Sequence, residues 1–272
     1  MSFLKQRWVA CCGAALLGCG LTASANAALI VDVRASSATG SLSLNDSKSL
    51  TYNPAAGSGN ATMQIWAVVT GATGNSGLEG FQSTYGGFLS SNLPSATTGG
   101  TVRGTLTATV QPSFLEGSGP TAGGNVDLDA DGDLDVGGAA QNNSANWFYA
   151  RSNEIITTGN AAAQGVTFNS LADGGIELLL GTLTFDNLSS ISGALGTDST
   201  LINWAGRIDG TTFTSFIYQQ DGSTVTSATN QFIAAGLPVS INVNAIPEPG
   251  TYALGGILLA GLAGLKLRRK KA

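Results

Sequence analysis

The feature that most constrains the fold is a repeated alternation of apolar and polar residues, broken by turn-forming residues. The stretch TVRGTLTATV (101–110) puts Val102, Leu106 and Val110 on one side, and Arg103 with four threonines on the other. A period of two is typical of a β-strand that buries one face. Clusters of Gly, Asn, Ser and Asp separate such stretches and favour turns. The pattern predicts a protein built from short strands.

Strand-like stretches occur through most of the chain, at 28–36, 62–71, 101–110, 146–152, 176–188, 211–220 and 239–245. Long helical periodicity is confined to the two ends of the chain. We therefore expect an all-β fold with about nine to eleven short strands. They form one domain over residues 28–245, a two-sheet sandwich of jelly-roll or immunoglobulin-like type.

The first 27 residues have the three parts of a secretory signal peptide. Lys5 and Arg7 give a positive start, an apolar run follows, and Ala25 and Ala27 flank Asn in a small-residue cleavage site. We expect cleavage after Ala27, which predicts export. The sequence LLGC, which ends at Cys19, leaves a second route open, in which this cysteine becomes a lipidated amino terminus.

All three cysteines lie within this leader, so a chain cut after residue 27 has no thiol and no disulfide. It must fold around an ordinary apolar core, for which 219 residues are enough. Residues 28–246 carry five basic and 16 acidic side chains, a net charge of −11. Because such a domain repels phosphate groups, nucleic acids are not expected as partners.

The carboxyl-terminal end combines three features in a fixed order. Pro247, Glu248 and Pro249 come first, and an apolar segment over about 251–267 follows. The last feature is a cationic cluster, which consists of Lys266, Arg268, Arg269, Lys270 and Lys271. The apolar segment predicts a membrane helix of about 25 Å, just short of a typical hydrocarbon core. The cations predict that the carboxyl terminus stays in the cytosol.

This order of features resembles the PEP-CTERM sorting signal. Signals of that family are recognised by exosortases, membrane-embedded cysteine transpeptidase-like enzymes of Gram-negative bacteria. The resemblance implies an inner-membrane intermediate that is cut near Pro-Glu-Pro and passed to the cell surface or to the exopolysaccharide matrix. It covers residues 246–272. A plain single-pass anchor is the alternative to a sorting signal. Gly256, Ala260 and Gly264 would share one face of the helix, and we expect this small-residue face to dock on the enzyme. The alternative is that these small residues are filler without a packing role.

An acidic segment, DLDADGDLD (127–135), is the candidate for metal binding. It resembles the calcium loops of dockerins, thrombospondin repeats and integrin-type blades. Oxygen atoms at alternate loop positions suit Ca²⁺, which takes about six to eight of them. The candidate ligands are Asp127, Asp129, Asp131, Asp133 through its carbonyl, and Asp135. Gly138 replaces the bidentate Glu of an EF-hand, so the loop is not one, and a solvated acidic turn is the alternative.

The sequence offers few parts for catalysis. It has no histidine, which excludes Ser-His-Asp and Cys-His nucleophiles and histidine-based zinc sites. It also has no phosphate-binding glycine loop of the P-loop or dinucleotide type. We therefore expect a protein that is not an enzyme, with a glycosidase built on paired carboxylates as a less favoured alternative.

Adhesion, scaffolding or self-association at the cell surface or in a biofilm matrix is the favoured function. A binding module for polysaccharide or for another surface protein is the alternative. Trp147, Tyr149 and Trp204 are candidate ring platforms for sugars, although such rings also serve in cores. Segments 77–91 and 178–185 loosely resemble cohesin-like sandwiches, which bind proteins or carbohydrate outside the cell.

Overall fold

A computed structural model describes residues 29–53, 56–90, 105–114, 125–126, 135–136, 148–188, 199–205, 216–226 and 234–244. These residues form strands and, at Ser76–Leu78 and Pro112–Phe114, two short 3-10 helices. The strands are β1 (Leu29–Gly40), β2 (Leu42–Asp46), β3 (Ser49–Tyr52), β4 (Gly59–Val69), β5 (Gly80–Leu89), β6 (Thr105–Val110), β7 (Asn125–Val126), β8 (Asp135–Val136), β9 (Phe148–Thr157), β10 (Phe168–Ser170), β11 (Ile176–Leu188), β12 (Ser199–Ala205), β13 (Ile217–Gln220), β14 (Ser223–Thr226), β15 (Ala234–Ala235) and β16 (Val239–Val243).

The strands form two sheets. The first has the order β10-β11-β4-β1-β15, and β6 pairs with the second half of β11. The second has the order β14-β13-β5-β12-β16-β3-β2, with β8 and β9 on β5 and β7 on β8. Most pairs are antiparallel, but β1 pairs with β15 and β3 with β16 in parallel. An all-β sandwich of two sheets was predicted, and the structure confirms it.

The core follows from the period of two. Along β1, the side chains of Leu29, Val31 and Val33 are buried, and those of Asp32 and Arg34 between them point outward. Strands β4 and β9 alternate in the same way over part of their length, whereas the first six residues of β11 are all buried. The buried apolar side chains form one connected cluster. Burial of this apolar area is the main favourable term in folding, and the described residues include no cysteine that could form a disulfide.

Strand prediction succeeded where the apolar alternation was strong. The stretch 176–188 matches β11, and 28–36 and 62–71 lie mostly within β1 and β4. The hairpin of β2 and β3 was not predicted, because its sequence is mostly Ser, Leu and Asn without a clear period. The choice between jelly-roll and immunoglobulin-like types stays a prediction.

The strand registers show which loops share an end of the sandwich. Gly40 lies opposite Gly59, and Tyr52 lies opposite both Leu42 and Val243. We call this end the exit end, because the chain leaves β16 there. The opposite end, which we call the far end, holds residues 69–80 and the turn at 221–222.

Candidate functional site

The ends of the acidic segment lie on a small hairpin. Strands β7 and β8 pair antiparallel, so Val126 faces Asp135, and residues 127–134 connect the two strands. Val136 pairs with Phe88 and attaches the hairpin to β5. The acidic segment is therefore flanked by paired strands rather than by helices.

Asp135 is the one candidate calcium ligand among the described residues, because the other four lie outside them. Its carboxyl group is buried, and Oδ1 accepts a hydrogen bond from the backbone N–H of Ser90 at 2.9 Å. At least one oxygen of Asp135 thus holds the hairpin against the end of β5. No group of three or more Asp, Glu, His or Cys side chains suited to a metal occurs within the described ranges.

The candidate sugar-binding aromatics do not come together as one platform within the described residues. Trp204 is only 3% exposed and lies in edge-to-face contact with Phe88 and Phe148, at centroid distances of 5.3 and 6.0 Å. This ring is part of the core, which is the alternative that the sequence left open for it. A role of Trp204 in ligand stacking stays a prediction.

Tyr149 lies on β9, between the buried side chains of Phe148 and Ala150, and points outward. Its hydroxyl accepts a hydrogen bond from Nη1 of Arg151 at 3.4 Å. Trp147 lies outside the described residues. A role of Tyr149 and Trp147 in ligand contact stays a prediction.

The sequence analysis missed a network of charges on the outer face of the first sheet. Arg34 donates from Nε to Asp32 at 2.8 Å and from Nη2 to Glu177 at 2.6 Å. Lys48 contacts the other oxygen of Asp32 at 2.5 Å. The guanidinium carbon of Arg34 lies 5.2 Å from the centroid of the Trp66 ring. The alternation in β1 already places residues 32 and 34 on its outward face, and this was the sequence feature that could have indicated the network.

This network changes the ionisation of its members. Burial alone would lower the pKa of Arg34, but its hydrogen bonds to Glu177 and Asp32 outweigh burial and raise it. Burial alone would raise the pKa of Glu177, but the bonds from Arg34 and from the Asn169 amide lower it. Arg34 and Glu177 are therefore a stable ion pair that joins β1 to β11 across β4.

A cavity of about 460 Å³ opens beside this network, between Ile30, Val68 and Leu237 and the charged heads of Asp32, Arg34 and Lys48. The ammonium group of Lys48 also donates to the carbonyl oxygens of Val33 and Leu237. With its bond to Asp32, this group uses all three of its donors within the protein.

At the far end, two carboxyl groups meet. Oε1 of Glu79 accepts the backbone N–H of Asp221 at 3.0 Å, and Oε2 is buried without a hydrogen-bond partner among the described residues. Burial raises the pKa of Glu79, and the nearby Asp221 carboxyl adds to this effect. Oδ1 of Asp221 accepts from the N–H groups of Ala72 and Thr73, both at 3.0 Å.

Asp221 stays the ionised partner of this pair. Burial alone would raise the pKa of Asp221, but the hydrogen bonds from Thr73, Ala72 and Glu79 together outweigh burial and lower it. Asp221 and Gly222 have φ angles of +48° and +78°, as a two-residue type I′ hairpin turn requires. The pair ties the turn to the loop after β4, and the geometry indicates a structural clasp.

The predicted sorting signal begins where the described chain ends. The backbone N–H of Asn244, directly after β16, donates to the carbonyl of Tyr52 at 2.8 Å. Pro247, Glu248, Pro249, the membrane segment and the basic cluster lie outside the described residues, as do Ala25 and Ala27 of the leader. In the part of the chain that the structure describes, no helix has the length and apolarity to cross a membrane.

Comparison with known proteins identifies this end of the chain. Residues 245–270 match the family model described as the PEP-CTERM protein-sorting motif. No curated protein and no solved structure matches the chain. The sorting signal predicted from the order of prolines, apolar segment and cations is therefore confirmed, whereas the cohesin-like resemblance stays a prediction.

Proposed function

We propose that this chain, which carries a PEP-CTERM sorting motif, is exported and acts as a non-catalytic component of the cell surface or of the exopolysaccharide matrix. The observation that carries the proposal is the sorting motif at 245–270, which directly follows a folded β-sandwich. Adhesion or scaffolding needs no catalytic centre, and the sequence lacks histidine and, after loss of the leader, cysteine.

The outer faces of the sheets support contact with a polysaccharide. On the first sheet, Thr107 pairs with Thr184 and Thr109 with Thr182, and both β6 threonines are exposed. On the second sheet, the Asn45 amide donates to the hydroxyls of Ser49 and Thr51, at 3.1 and 2.9 Å. Hydroxyl and amide groups both donate and accept hydrogen bonds, which suits the hydroxyl groups of neutral sugars.

The proposal is tested by removing the signal. In the producing cells, a chain that lacks residues 246–272 should be exported but lost from the surface and matrix fractions. A second variant with Pro247→Ala and Pro249→Ala keeps the membrane segment and should stay uncut in the inner membrane. Immunoblots of cell fractions make the measurement, and treatment of the matrix with polysaccharide-degrading enzymes should release the native protein.

Two results would contradict this function. Equal surface amounts of the native and truncated chains would show that the signal does not direct the protein. Normal shortening of the double alanine variant would show that Pro-Glu-Pro is not read, as expected for a plain single-pass anchor. Release of sugars from a purified polysaccharide by the mature protein would instead favour the enzyme alternative.

We also propose that the loop of 127–134 binds a structural Ca²⁺ ion. The proposal is supported by the number of carboxylates, which repel one another without a cation, and by the β7–β8 hairpin that holds both ends of the loop. Asp127, Asp129 and Asp131 would bind through side-chain oxygens, Asp133 through its carbonyl, and Asp135 directly or through water.

The calcium proposal has a direct test. Millimolar Ca²⁺ should raise the melting temperature of the mature protein, since a ligand that binds only the folded state stabilises it. The variant Asp129→Asn with Asp131→Asn should lose that response, and Asp173→Asn, which changes a carboxylate outside the loop, should keep it. No heat of binding and no shift at millimolar Ca²⁺ would contradict the proposal.

A further inference from the structure

The boundary between the folded domain and the sorting motif has no spacer. Among the described residues, the last backbone hydrogen bond along the chain is made by Asn244, and the matched motif starts at residue 245. Pro247 follows Asn244 by three residues, so the motif's first proline lies within about 10 Å of the sandwich even in a fully extended chain.

The exit end has a defined rim of described residues around Asn244. The carbonyl of Ser41 accepts the N–H of Asn53 at 2.8 Å, and the N–H of Ser41 donates to the carbonyl of Ser58 at 3.1 Å. The N–H of Ala56 donates to the carbonyl of Asn53 at 3.0 Å. We call Ser41, Asn53, Ala56, Ser58 and Asn244 the exit rim. Asn53, Ala56, Ser58 and Asn244 are exposed.

The last strand cannot easily supply extra length by detaching from the domain. β16 lies inside the second sheet, bonded to β12 on one side and to β3 on the other. Its Val239 and Ile241 side chains are completely buried. Detachment would break two ladders and expose both side chains to water, so the native spacing persists while the tail is read.

We propose that the enzyme that processes the tail contacts the exit rim of the folded domain. A single α-helix is about 10 Å across, as wide as the whole gap between Asn244 and Pro247. Any part of the enzyme that packs against the amino-terminal side of the Pro-Glu-Pro segment therefore contacts the exit rim. This inference rests on the proposed function and adds a second recognition surface, formed by the exposed rim residues Asn53, Ala56, Ser58 and Asn244.

The rim carries no charged side chain among its five residues, and its polar groups are hydroxyls and amides. It fits an uncharged protein surface close to the membrane, to which the segment from about residue 251 connects. With six residues between Asn244 and position 251, the rim lies within about 25 Å of the start of that segment.

The test compares matched bulky substitutions at the two ends of the sandwich. Ala56→Trp on the rim should slow conversion of precursor to product by about fivefold in a pulse-chase in the producing cells, as loss of an interface contact does. Ala72→Trp, at an exposed alanine of the far end, should leave the rate unchanged. Ala56→Arg should slow conversion as much as Ala56→Trp does. Because Trp but not Arg is drawn to the lipid interface as an aromatic ring, equal effects of the two variants would show that steric contact is the cause.

A spacer supplies the decisive control. Eight Gly and Ser residues inserted after Asn244 should make Ala56→Trp harmless, because the tail is then read away from the rim. Equal rates for the native chain and both Ala56 variants would overturn the inference, as would a slow Ala56→Trp precursor that stays slow with the spacer. If the native chain is never shortened at all, the proposed function fails instead.

Discussion

The charge network on the first sheet leads to a quantitative prediction. Replacing Arg34 by Met keeps most of the apolar stem over Trp66 but removes the hydrogen bonds to Asp32 and Glu177. A bond between charged groups contributes about 1.5–3 kcal/mol to stability. The Arg34 side chain is 27% exposed, so it loses part of its hydration on folding and regains it on unfolding. The contribution quoted per bond is a net value that already includes this change in hydration.

Two such bonds set the scale of the expected loss. Asp32 keeps its contact with Lys48, and Glu177 keeps the hydrogen bond from Asn169, so neither carboxylate is left alone. We therefore expect Arg34→Met to lower the free energy of unfolding by about 3 kcal/mol, the lower end of the sum. For a domain of this size, that loss lowers the melting temperature by about 6–12 °C.

Denaturant unfolding of the mature protein measures this loss. A double-mutant cycle with Glu177→Gln should give a coupling of about 1.5 kcal/mol between Arg34 and Glu177. Arg151→Met, at an exposed arginine on β9, should change the stability by at most about 0.5 kcal/mol. A loss below about 1 kcal/mol for Arg34→Met, or no coupling, would refute the reasoning.

Acidity gives the same pair a second signature. The folded-state pKa of Glu177 lies below its ordinary value of 4.5. The ion pair therefore contributes in full above pH about 4.5 and is lost as the pH falls through the folded-state pKa. The stability difference between the native protein and Glu177→Gln should shrink in that acidic window.

Two further predictions concern the core and the far end. Gly86→Ala would put a Cβ atom 2.2 Å from the Cζ2 atom of the packed Trp204 ring and should lower the free energy of unfolding by about 3 kcal/mol. Gly159→Ala, whose new Cβ would have its nearest neighbour 3.6 Å away, should lower it little. Equal melting temperatures of the two variants would contradict this. Burial raises the folded-state pKa of Glu79 above 4.5, so its contribution is present below that pH and is lost as the pH rises through the folded-state pKa. Glu79→Gln should remove this decline in stability with rising pH. If the pH profile of unfolding is the same in this variant as in the native protein, the pKa of the buried Glu79 carboxyl is not raised and the reasoning fails.

The sheet-forming stretches could be predicted wherever alternation and burial agreed. In β1, Val31 and Val33 alternate with Asp32 and Arg34, so one strand identifies its own inward face. Strand β5 was not predicted, because GFQSTYGGFL mixes glycine and polar residues at both faces. Gly86 lacks a side chain there because the Trp204 ring fills the space above it. That requirement exists only in the folded core.

The candidate site was predictable to different extents. The sorting signal could be found from the sequence, because its parts are contiguous in the chain and do not depend on how the domain folds. The network of Asp32, Arg34 and Glu177 could not, since Arg34 and Glu177 are separated by 143 positions and meet through the pairing of β1 and β11 with β4. The Glu79–Asp221 clasp is likewise a contact between distant segments.

The sequence alone determined the all-β class and the carboxyl-terminal signal, because each depends on local period or contiguous order, whereas the export leader stays a prediction. Only the tertiary structure decided that Trp204 is a core residue, that Asp135 bonds to Ser90, and that the chain leaves the sandwich beside Tyr52. These facts depend on strand order and register, which arise from packing between residues far apart in the chain. No local pattern encodes them, since a strand's neighbours are chosen by the whole core.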